Sequence, residues 1–285
     1  MISAAANAAM VLRLAPSELS TLELRILSAV ALAPLPIAAI WFGSPWLPLL
    51  TACAGAVMAW EWGRLCCRGR LGATGIVLIA VVLATVAAAA MVDIGFAVGC
   101  AVLGAVLVFW SARQGIEQEA EWAAFGTLWV ALPCICLLWL AREGMSGRTT
   151  LLWVLAVVWA SDIGAYVTGK TLGGPRLAPR WSPRKTWAGL AGGTVCAALS
   201  GWATAAWLGL SPAFPLVAIS AALAIVEQFG DLAQSFAKRR FGVKDSSRLI
   251  PGHGGLLDRL DGLLAVIPVV ALMTLLDGRG VLTWQ

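Results

Sequence analysis

The sequence predicts an all-α fold, a polytopic helical membrane protein with about nine transmembrane helices and a cytoplasmic N-terminus. Hydrophobic residues make up 60% of the 285 residues, and charged residues only 12%. The mean hydropathy is +0.86, and apolar runs of membrane-spanning length recur along the chain. Because roughly 20 apolar residues in helical form cross the core of a bilayer, this pattern excludes a soluble globular protein.

The chain divides into a tail and one domain. Residues 1–23 are expected to form a cytoplasmic N-terminal tail, because they lack the basic start of a signal peptide. Residues 24–285 are expected to form a single transmembrane domain, since no polar stretch is long enough for a separate soluble module. The nine predicted spans lie near residues 24–42, 45–63, 72–91, 94–112, 122–141, 150–168, 187–209, 213–231 and 263–277.

The basic residues predict the orientation of these spans. Seventeen of the 20 Lys and Arg residues fall on one side of the predicted membrane and three fall on the other. Because Lys and Arg are enriched in cytoplasmic loops, the N-terminus and the polar segments after spans 6 and 8 are predicted to be cytoplasmic. The protein is thus expected to be a multi-pass protein of the plasma (inner) membrane, with its polar clusters facing the cytoplasm.

Four carboxylates lie inside or at the ends of apolar runs, where a charge is costly and by default indicates a functional site or a water-filled cavity. Asp162 stands among small residues that suit either close helix packing or a ligand cavity. Glu61 precedes Arg64 by three residues, which favours an ion pair on the helix surface. The other two acids, Glu227 and Asp231, belong to the eighth span.

The end of the eighth span carries a polar stripe. Glu227, Asp231 and Ser235 follow each other at intervals of four residues, and Lys238 and Arg239 complete the stripe. Residues four apart project from one face of a helix, and such a face cannot point to lipid. We therefore expect an interior aqueous site, although a proton relay would use similar acids.

The segment after this span combines carboxylates with glycines. Asp258 and Asp261 are three residues apart, and paired carboxylates without soft ligands suit a hard divalent cation such as Mg²⁺. Residues 251–255 (PGHGG) cannot form a regular helix. Their backbone N–H groups, at the start of a helix, are typical of an anion site. Together these features predict a site that handles phosphate groups.

A second basic segment, residues 173–193, brings four Lys and Arg residues, together with Ser182 and Thr186, to the start of span 7. Hydroxyl and basic side chains at the start of a helix again favour phosphate. A loop that binds only lipid headgroups is the alternative.

Residues 235–261 closely resemble the signature of bacterial phosphatidate cytidylyltransferases. The resemblance extends upstream through Asp231, Glu227 and residues 182–189 to Asp162, so that it covers about residues 155–265, the expected catalytic part. Ala237 and Ala188 depart from the family pattern; the family often has Glu at the latter position. The matching signature positions are Ser235, Lys238, Arg239, Lys244, Asp245, His253, Gly254, Gly255, Asp258, Arg259 and Asp261.

The resemblance implies transfer of the cytidylyl group from CTP to phosphatidate, giving CDP-diacylglycerol and diphosphate. It implies a divalent metal, Mg²⁺, with two divalent ions or one divalent ion beside K⁺ both open. It also implies a homodimer among membrane lipids and no nucleic-acid partner. The expected metal ligands are Asp231, Asp258 and Asp261. The expected catalytic residues are these three aspartates with Lys238, Lys244 and His253. The expected substrate-binding residues are Ser182, Arg184, Lys185, Thr186, Ser235, Arg239, Arg259, Asp162 and Glu227.

The main alternative is an ion- or proton-coupled transporter of an anionic solute. Such proteins also use intramembrane acids and broken helices, but their folds often contain inverted repeats. This chain has no convincing repeat, and its polar chemistry is concentrated in residues 160–262. An enzyme releases diphosphate in detergent solution, whereas a transporter does not, so a simple assay separates the two.

Overall fold

The computed structural model describes residues 32–115, 119–250, 254–277 and 282. Within these ranges the chain forms helices joined mostly by short turns, with one small hairpin of strands. The helices are α1 Pro34–Phe42, α2 Trp46–Cys66, α3 Ala73–Met91, α4 Ile94–Arg113, α5 Ala120–Arg142, α6 Gly144–Thr171, α7 Trp187–Leu208, α8 Phe214–Arg240 and α9 Leu257–Asp277. The strands are β1 Arg176–Ala178 and β2 Ser182–Thr186.

The predicted class, a helical protein with many membrane-spanning segments, is confirmed. Among the described residues, six helices are long and apolar enough to cross a bilayer: α3, α4, α5, α6, α8 and α9. Helices α2 and α7 have 21 and 22 residues, which at 1.5 Å per residue is also about the length of a span. The expected tail, residues 1–23, and part of the first expected span lie outside the described residues.

Local sequence signals explain where several helices begin and end. The Asp93 side chain accepts a hydrogen bond from the backbone N–H of Phe96 at 2.9 Å and so caps α4. The Thr186 hydroxyl does the same for α7 through the N–H of Gly189 at 3.0 Å. Helix α7 ends at Gly209, whose φ of +70° is the left-handed conformation that glycine adopts at low cost.

Helices α6 and α7 pack closely because small residues line their contact. A Cβ atom added to Gly193 would lie 2.9 Å from the backbone oxygen of Ser161, and one added to Gly164 would lie 2.8 Å from that of Gly192. The sequence left open whether the glycines of α7 serve packing within one chain or between two chains. The structure uses them within the chain, as small residues commonly act in membrane helix pairs.

The hairpin of β1 and β2 is the departure from the predicted all-α fold. Its strands pair antiparallel, with Arg176 opposite Thr186 and Ala178 opposite Ser182. Prolines at 175, 179 and 183 disfavour helix here because proline lacks the backbone N–H. The hairpin ends at the N-terminus of α7, and β2 lies against α8 at Asp231.

The polar segments gather at one end of the helical bundle. Arg240, the last residue of α8, pairs with Glu119 before α5 at 2.9 Å. At the opposite end, Arg142 donates to the backbone oxygen of Ala89, and Arg148 donates to that of Trp41. Arg240 therefore lies at one end of the bundle, and Arg142 and Arg148 lie at the other. The sequence assigned these residues to opposite sides of the membrane.

Candidate active site

The crossing of α8 and α9 forms the centre of the polar site. A Cβ atom on Gly230 of α8 would lie 2.7 Å from the backbone oxygen of Asp261. A Cβ atom on Gly262 of α9 would lie 2.5 Å from Cγ of Glu227. Because neither glycine has a side chain, the helices approach closely, and the carboxylates of the two helices share one region.

Asp231 is held by two side chains. Lys185, from strand β2, forms an ion pair with Asp231 Oδ2. The Ser235 hydroxyl, one turn further along α8, lies 3.3 Å from Asp231 Oδ1. The Lys185 and Asp231 side chains are 19% and 26% exposed, so a ligand can reach this pair. The structure thus brings three predicted site residues together from two elements.

Asp258, in the first turn of α9, is the most strongly bound carboxylate of the signature. Lys238 Nζ lies 2.7 Å from Asp258 Oδ1, and both side chains are buried. Oδ2 accepts from the backbone N–H groups of Ser246 and Gly255, at 2.8 and 3.0 Å, and lies 3.0 Å from the Ser246 hydroxyl. A carboxylate offers about four acceptor positions; three nitrogen donors bind this one, and the Ser246 hydroxyl lies between it and Glu61.

Further carboxylates surround the two ion pairs. Asp261 interacts electrostatically with Asp231 and with Lys238 and Lys185. Glu227 is buried, accepts a hydrogen bond from Ser161 on α6 and contacts the carboxyl group of Asp162. Two neighbouring carboxylates repel each other, which favours a nearby cation. Four acids from three helices therefore lie around the ammonium groups of two lysines.

The remaining predicted residues are less enclosed. Arg184, Arg239, Lys244 and Arg259 are exposed at this end of the protein. Thr186 lies at the site, but its hydroxyl is used as the cap of α7. Ser182, the first residue of β2, is half-buried. His253 lies outside the described residues.

An aromatic contact attaches the hairpin to α8. The rings of Trp181 and Phe236 meet edge to face, with 5.2 Å between their centroids. Arg239 Nε donates to the backbone oxygen of Trp181 at 3.3 Å. These contacts fix the turn before β2 against α8 and thereby position Lys185 beside Asp231.

A basic cavity of about 1030 Å³ lies beside the signature segment, between the ends of α2 and α8. Its lining includes five Lys and Arg side chains but only two acids, together with two serine hydroxyls, so it suits an anionic ligand. The charged and hydroxyl residues of the lining are Arg64, Arg68, Arg240, Lys244, Arg248, Glu119, Asp245, Ser246 and Ser247.

Glu61 is the residue that the sequence reasoning placed wrongly. Its side chain is fully buried and accepts from the N–H groups of Leu256 and Leu257, at 2.9 and 2.7 Å. Arg64 instead donates to the backbone oxygen of Gly69 and lies over the ring of Trp60. The predicted surface ion pair is therefore absent between these two described side chains. An acid inside an apolar run was the available signal, but no local pattern indicated a partner so far along the chain.

The glycine segment also differs from the expected anion site. The N–H of Gly254 donates to the backbone oxygen of Ile250 at 3.1 Å, and the N–H of Gly255 donates to Asp258. The N–H groups at the start of α9 are taken by Glu61. In the described part of the segment, these backbone N–H groups thus bind oxygens of the protein itself. The sequence had predicted that they would bind a substrate anion.

Comparison of the sequence with known proteins assigns the chain to a family. A model of the cytidylyltransferase family matches residues 23–276. A phosphatidate cytidylyltransferase of Brucella suis biovar 1 is 36% identical over 260 residues, which cover 89% of this chain and 93% of that protein. One from Pseudomonas aeruginosa is 35% identical over 272 residues, covering 91% and 99%. The chain belongs to the cytidylyltransferase family.

Proposed function

We propose that this protein is a phosphatidate cytidylyltransferase, which converts CTP and phosphatidate to CDP-diacylglycerol and diphosphate. The observation that carries the proposal is the cluster of carboxylates and lysines at the crossing of α8 and α9, centred on the Lys185–Asp231 and Lys238–Asp258 pairs. Relatives of nearly full coverage carry the same name. The reaction belongs to phospholipid biosynthesis.

The chemistry is a displacement at phosphorus. An oxygen of the phosphatidate phosphate attacks the α-phosphorus of CTP in line, a new P–O–P bond forms, and the bond to the β-phosphate breaks to release diphosphate. The attacking phosphate is already anionic, so no enzyme nucleophile is required. The protein contributes positioning and charge stabilisation, which account for most of the catalysis in phosphoryl transfer.

The basic side chains have proposed roles in this displacement. Lys185 and Lys238 are fixed by ion pairs in the site, where their ammonium groups neutralise phosphate oxygens. Lys244, which lines the basic cavity, and Arg239, at the end of α8, neutralise the triphosphate. Arg259, in the first turn of α9, is proposed to assist them.

The other proposed roles rest on the family resemblance and on position. Ser182, Arg184 and Thr186 come from the hairpin segment beside the site and are proposed to hold substrate phosphate. Ser235 lies beside Asp231, and Asp162 and Glu227 form the wall of the site. His253 remains a proposed catalytic residue on the resemblance alone.

The acids at the site fit a magnesium cofactor. Asp162, Glu227, Asp231 and Asp261 are oxygen donors of the kind that Mg²⁺ prefers. These four acids outnumber the two lysines and one arginine that interact with them. Among the described residues no three such side chains are grouped closely enough to hold an ion alone. Mg²⁺ is commonly held by one or two carboxylates together with substrate phosphates.

The proposed ligands are Asp231, Asp258 and Asp261. Asp258 is already bound by Lys238 and two backbone N–H groups, with the Ser246 hydroxyl beside it, so direct ligation there would replace one of these contacts. When bound, Mg²⁺ supplies neutralisation of the charge on the triphosphate and on the departing diphosphate. We propose that the site binds two divalent ions, or one divalent ion beside K⁺.

The proposed cellular setting follows from the lipid substrate. The acyl chains of phosphatidate stay in the bilayer while the headgroup reaches the polar end of the bundle. That end is proposed to face the cytoplasm from the inner membrane, because it carries most of the basic residues. A homodimer is proposed on the family resemblance alone, since the glycines of α7 pack within the chain. Light scattering of the detergent-solubilised protein measures its mass.

The test is diphosphate release by the detergent-purified protein with CTP, phosphatidate and Mg²⁺. We expect release to require all three components and to fall at least about 100-fold in Asp258→Asn, because Lys238 then loses its anionic partner at the site. Asp277→Asn, an exposed acid at the far end of the same helix, is the matched control and should retain wild-type activity. A folded wild type that releases no diphosphate would refute the proposed function.

A further inference from the structure

We propose that Glu61 is a positioning residue of this reaction, which fixes the signature segment and the start of α9 so that Asp258 is held in its working place. The expected effect of Glu61 on kcat rests on the proposed function. Its expected effect on the backbone at the start of α9 does not. Glu61 belongs to α2, far along the chain from the signature. The resemblance that pointed to the site covers about residues 155–265 and does not include this helix.

The contacts of Glu61 join α2 to two parts of the signature segment, residues 246–247 and residues 256–257. Leu256 N–H and Leu257 N–H donate to Oε1 and Oε2 at 2.9 and 2.7 Å. The Ser247 hydroxyl donates to Oε1, and the Ser246 hydroxyl lies 3.1 Å from Oε2. One side chain therefore holds both the start of α9 and the serines that precede the glycine turn.

The physical cost of this arrangement indicates a specific role. A carboxylate with no exposed surface loses its hydration, a penalty of several kcal/mol that only strong partners offset. Here the N–H groups of Leu256 and Leu257, the Ser247 hydroxyl and the positive end of the α9 dipole provide that compensation. Both oxygens of Glu61 accept hydrogen bonds. In glutamine, an NH₂ group replaces one of these oxygens and would face N–H and O–H groups that also donate. Glutamine therefore cannot reproduce the contacts.

The path from Glu61 to Asp258 is short. The Ser246 hydroxyl lies between the two carboxylates, 3.1 Å from Glu61 Oε2 and 3.0 Å from Asp258 Oδ2. Gly255 donates to Asp258, and a Cβ atom on Gly255 would come within 2.6 Å of Glu61 Oε1. The groups that hold Asp258 thus rest directly on Glu61. Displacing Glu61 should move Asp258 and, with it, Lys238.

The experiment compares the full-length wild type with Glu61→Gln, Ser247→Ala and Glu121→Gln in the diphosphate-release assay. Glu121 is the matched control, since it lies on the exposed surface of α5 with only a weak pair to Arg113. Hydrogen exchange of residues 254–260 is measured on the same proteins. It reports the backbone at the start of α9 whether or not any protein is active.

We expect Glu61→Gln to lower kcat about 100-fold, the effect of roughly 1 Å of misplacement in an active site, with KM for CTP changed less than about threefold. Exchange of residues 254–260 should quicken by about tenfold or more, while exchange in α3 and α4 stays unchanged. Ser247→Ala removes one of the groups that donate to Glu61. It should lower kcat and quicken exchange of residues 254–260 by smaller factors. The control should match the wild type.

The proposal is overturned if Glu61→Gln keeps kcat within about twofold of the wild type. It is equally overturned if exchange quickens throughout the protein, because Glu61 would then serve global stability alone. If Glu61→Gln does not fold, Ser247→Ala decides by the same two measurements. An inactive wild type would refute the proposed function, while the exchange pattern would still support or contradict the positioning of α9 by Glu61.

Discussion

Lys185 shows how a residue outside the densest part of the signature reaches the centre of the site. It lies on β2, and the hairpin is fixed to α8 by the Trp181–Phe236 contact. Its ammonium group pairs with Asp231 and also interacts electrostatically with Asp261. The hairpin therefore contributes charge to the site as well as a connection between α6 and α7.

Replacing Lys185 with Ala should lower kcat/KM about 100-fold, because a cation that we propose binds substrate phosphate is lost and Asp231 loses its partner. The same assay on Arg180→Ala, an exposed residue of the same hairpin, controls for a general disturbance of the segment. Equal activity of the two variants would contradict a role for Lys185 at the site.

At the residue scale, spacing in the sequence predicted the groups that lie within one or two helical turns. Glu227, Asp231, Ser235 and Lys238 were assigned to one face of a helix, and the structure places them on α8 around the site. Glu61 could not be assigned in this way. Its partners lie 185 to 196 residues further along the chain, and a single sequence contains no periodic signal for such a contact.

At the element scale, the glycines are as informative as the charged residues. Gly230 and Gly262 let α8 and α9 cross closely, and Gly164, Gly192 and Gly193 do the same for α6 and α7. The first crossing brings the carboxylates together. The second sets the position of Ser161, which binds Glu227. Helix geometry at these glycines therefore determines the geometry of the site.

Gly192→Val should destabilise the protein by about 1–3 kcal/mol, the usual cost of overpacking, because its Cβ would collide with Thr168 on α6. The melting temperature in detergent is the measurement. Gly99→Val, at a position in α4 where a Cβ meets nothing within 4 Å, is the matched control. If both variants melt at the same temperature, the close α6–α7 contact does not contribute to stability.

The hairpin was the element that hydropathy could not predict. Its residues are polar and rich in proline, and the sequence reasoning therefore treated residues 173–193 as a loop leading into a helix. The strands have only three and five residues, and strands this short contain too few alternations to show a period of two. The helices were predictable because long apolar runs give a strong signal.

At the scale of the whole molecule, the contacts support one polar end and one end with few charges. The ends of α2, α6 and α8 and the starts of α7 and α9 meet around the site, as the contacts of Glu61, Lys185, Lys238 and Thr168 show. Hydropathy and the distribution of basic residues were sufficient to predict this division. They could not predict which helices touch, because packing in a membrane depends on small-residue faces and polar contacts.

Protease sites inserted in two turns test the orientation. A site after Gly242, in the turn that follows α8, should be cut only in sealed inside-out vesicles. A site after Gly209, in the turn between α7 and α8, should be cut only in right-side-out vesicles. Cleavage of both sites from one face would refute the alternation of the spans, and the reverse pattern would refute the cytoplasmic position of the active site.

The contact between Glu61 and α9 also imposes an order on biosynthesis. The carboxylate is synthesised 196 residues before the N–H group of Leu257 that will bind it. At 5–20 residues per second, the ribosome needs roughly 10–40 s to reach that partner. During this interval a nascent chain carries an acid in a membrane helix without its final donors. Helix α9 is thus the element that completes the burial of an acid in α2, so Glu61 gains its final donors only after α9 has been synthesised.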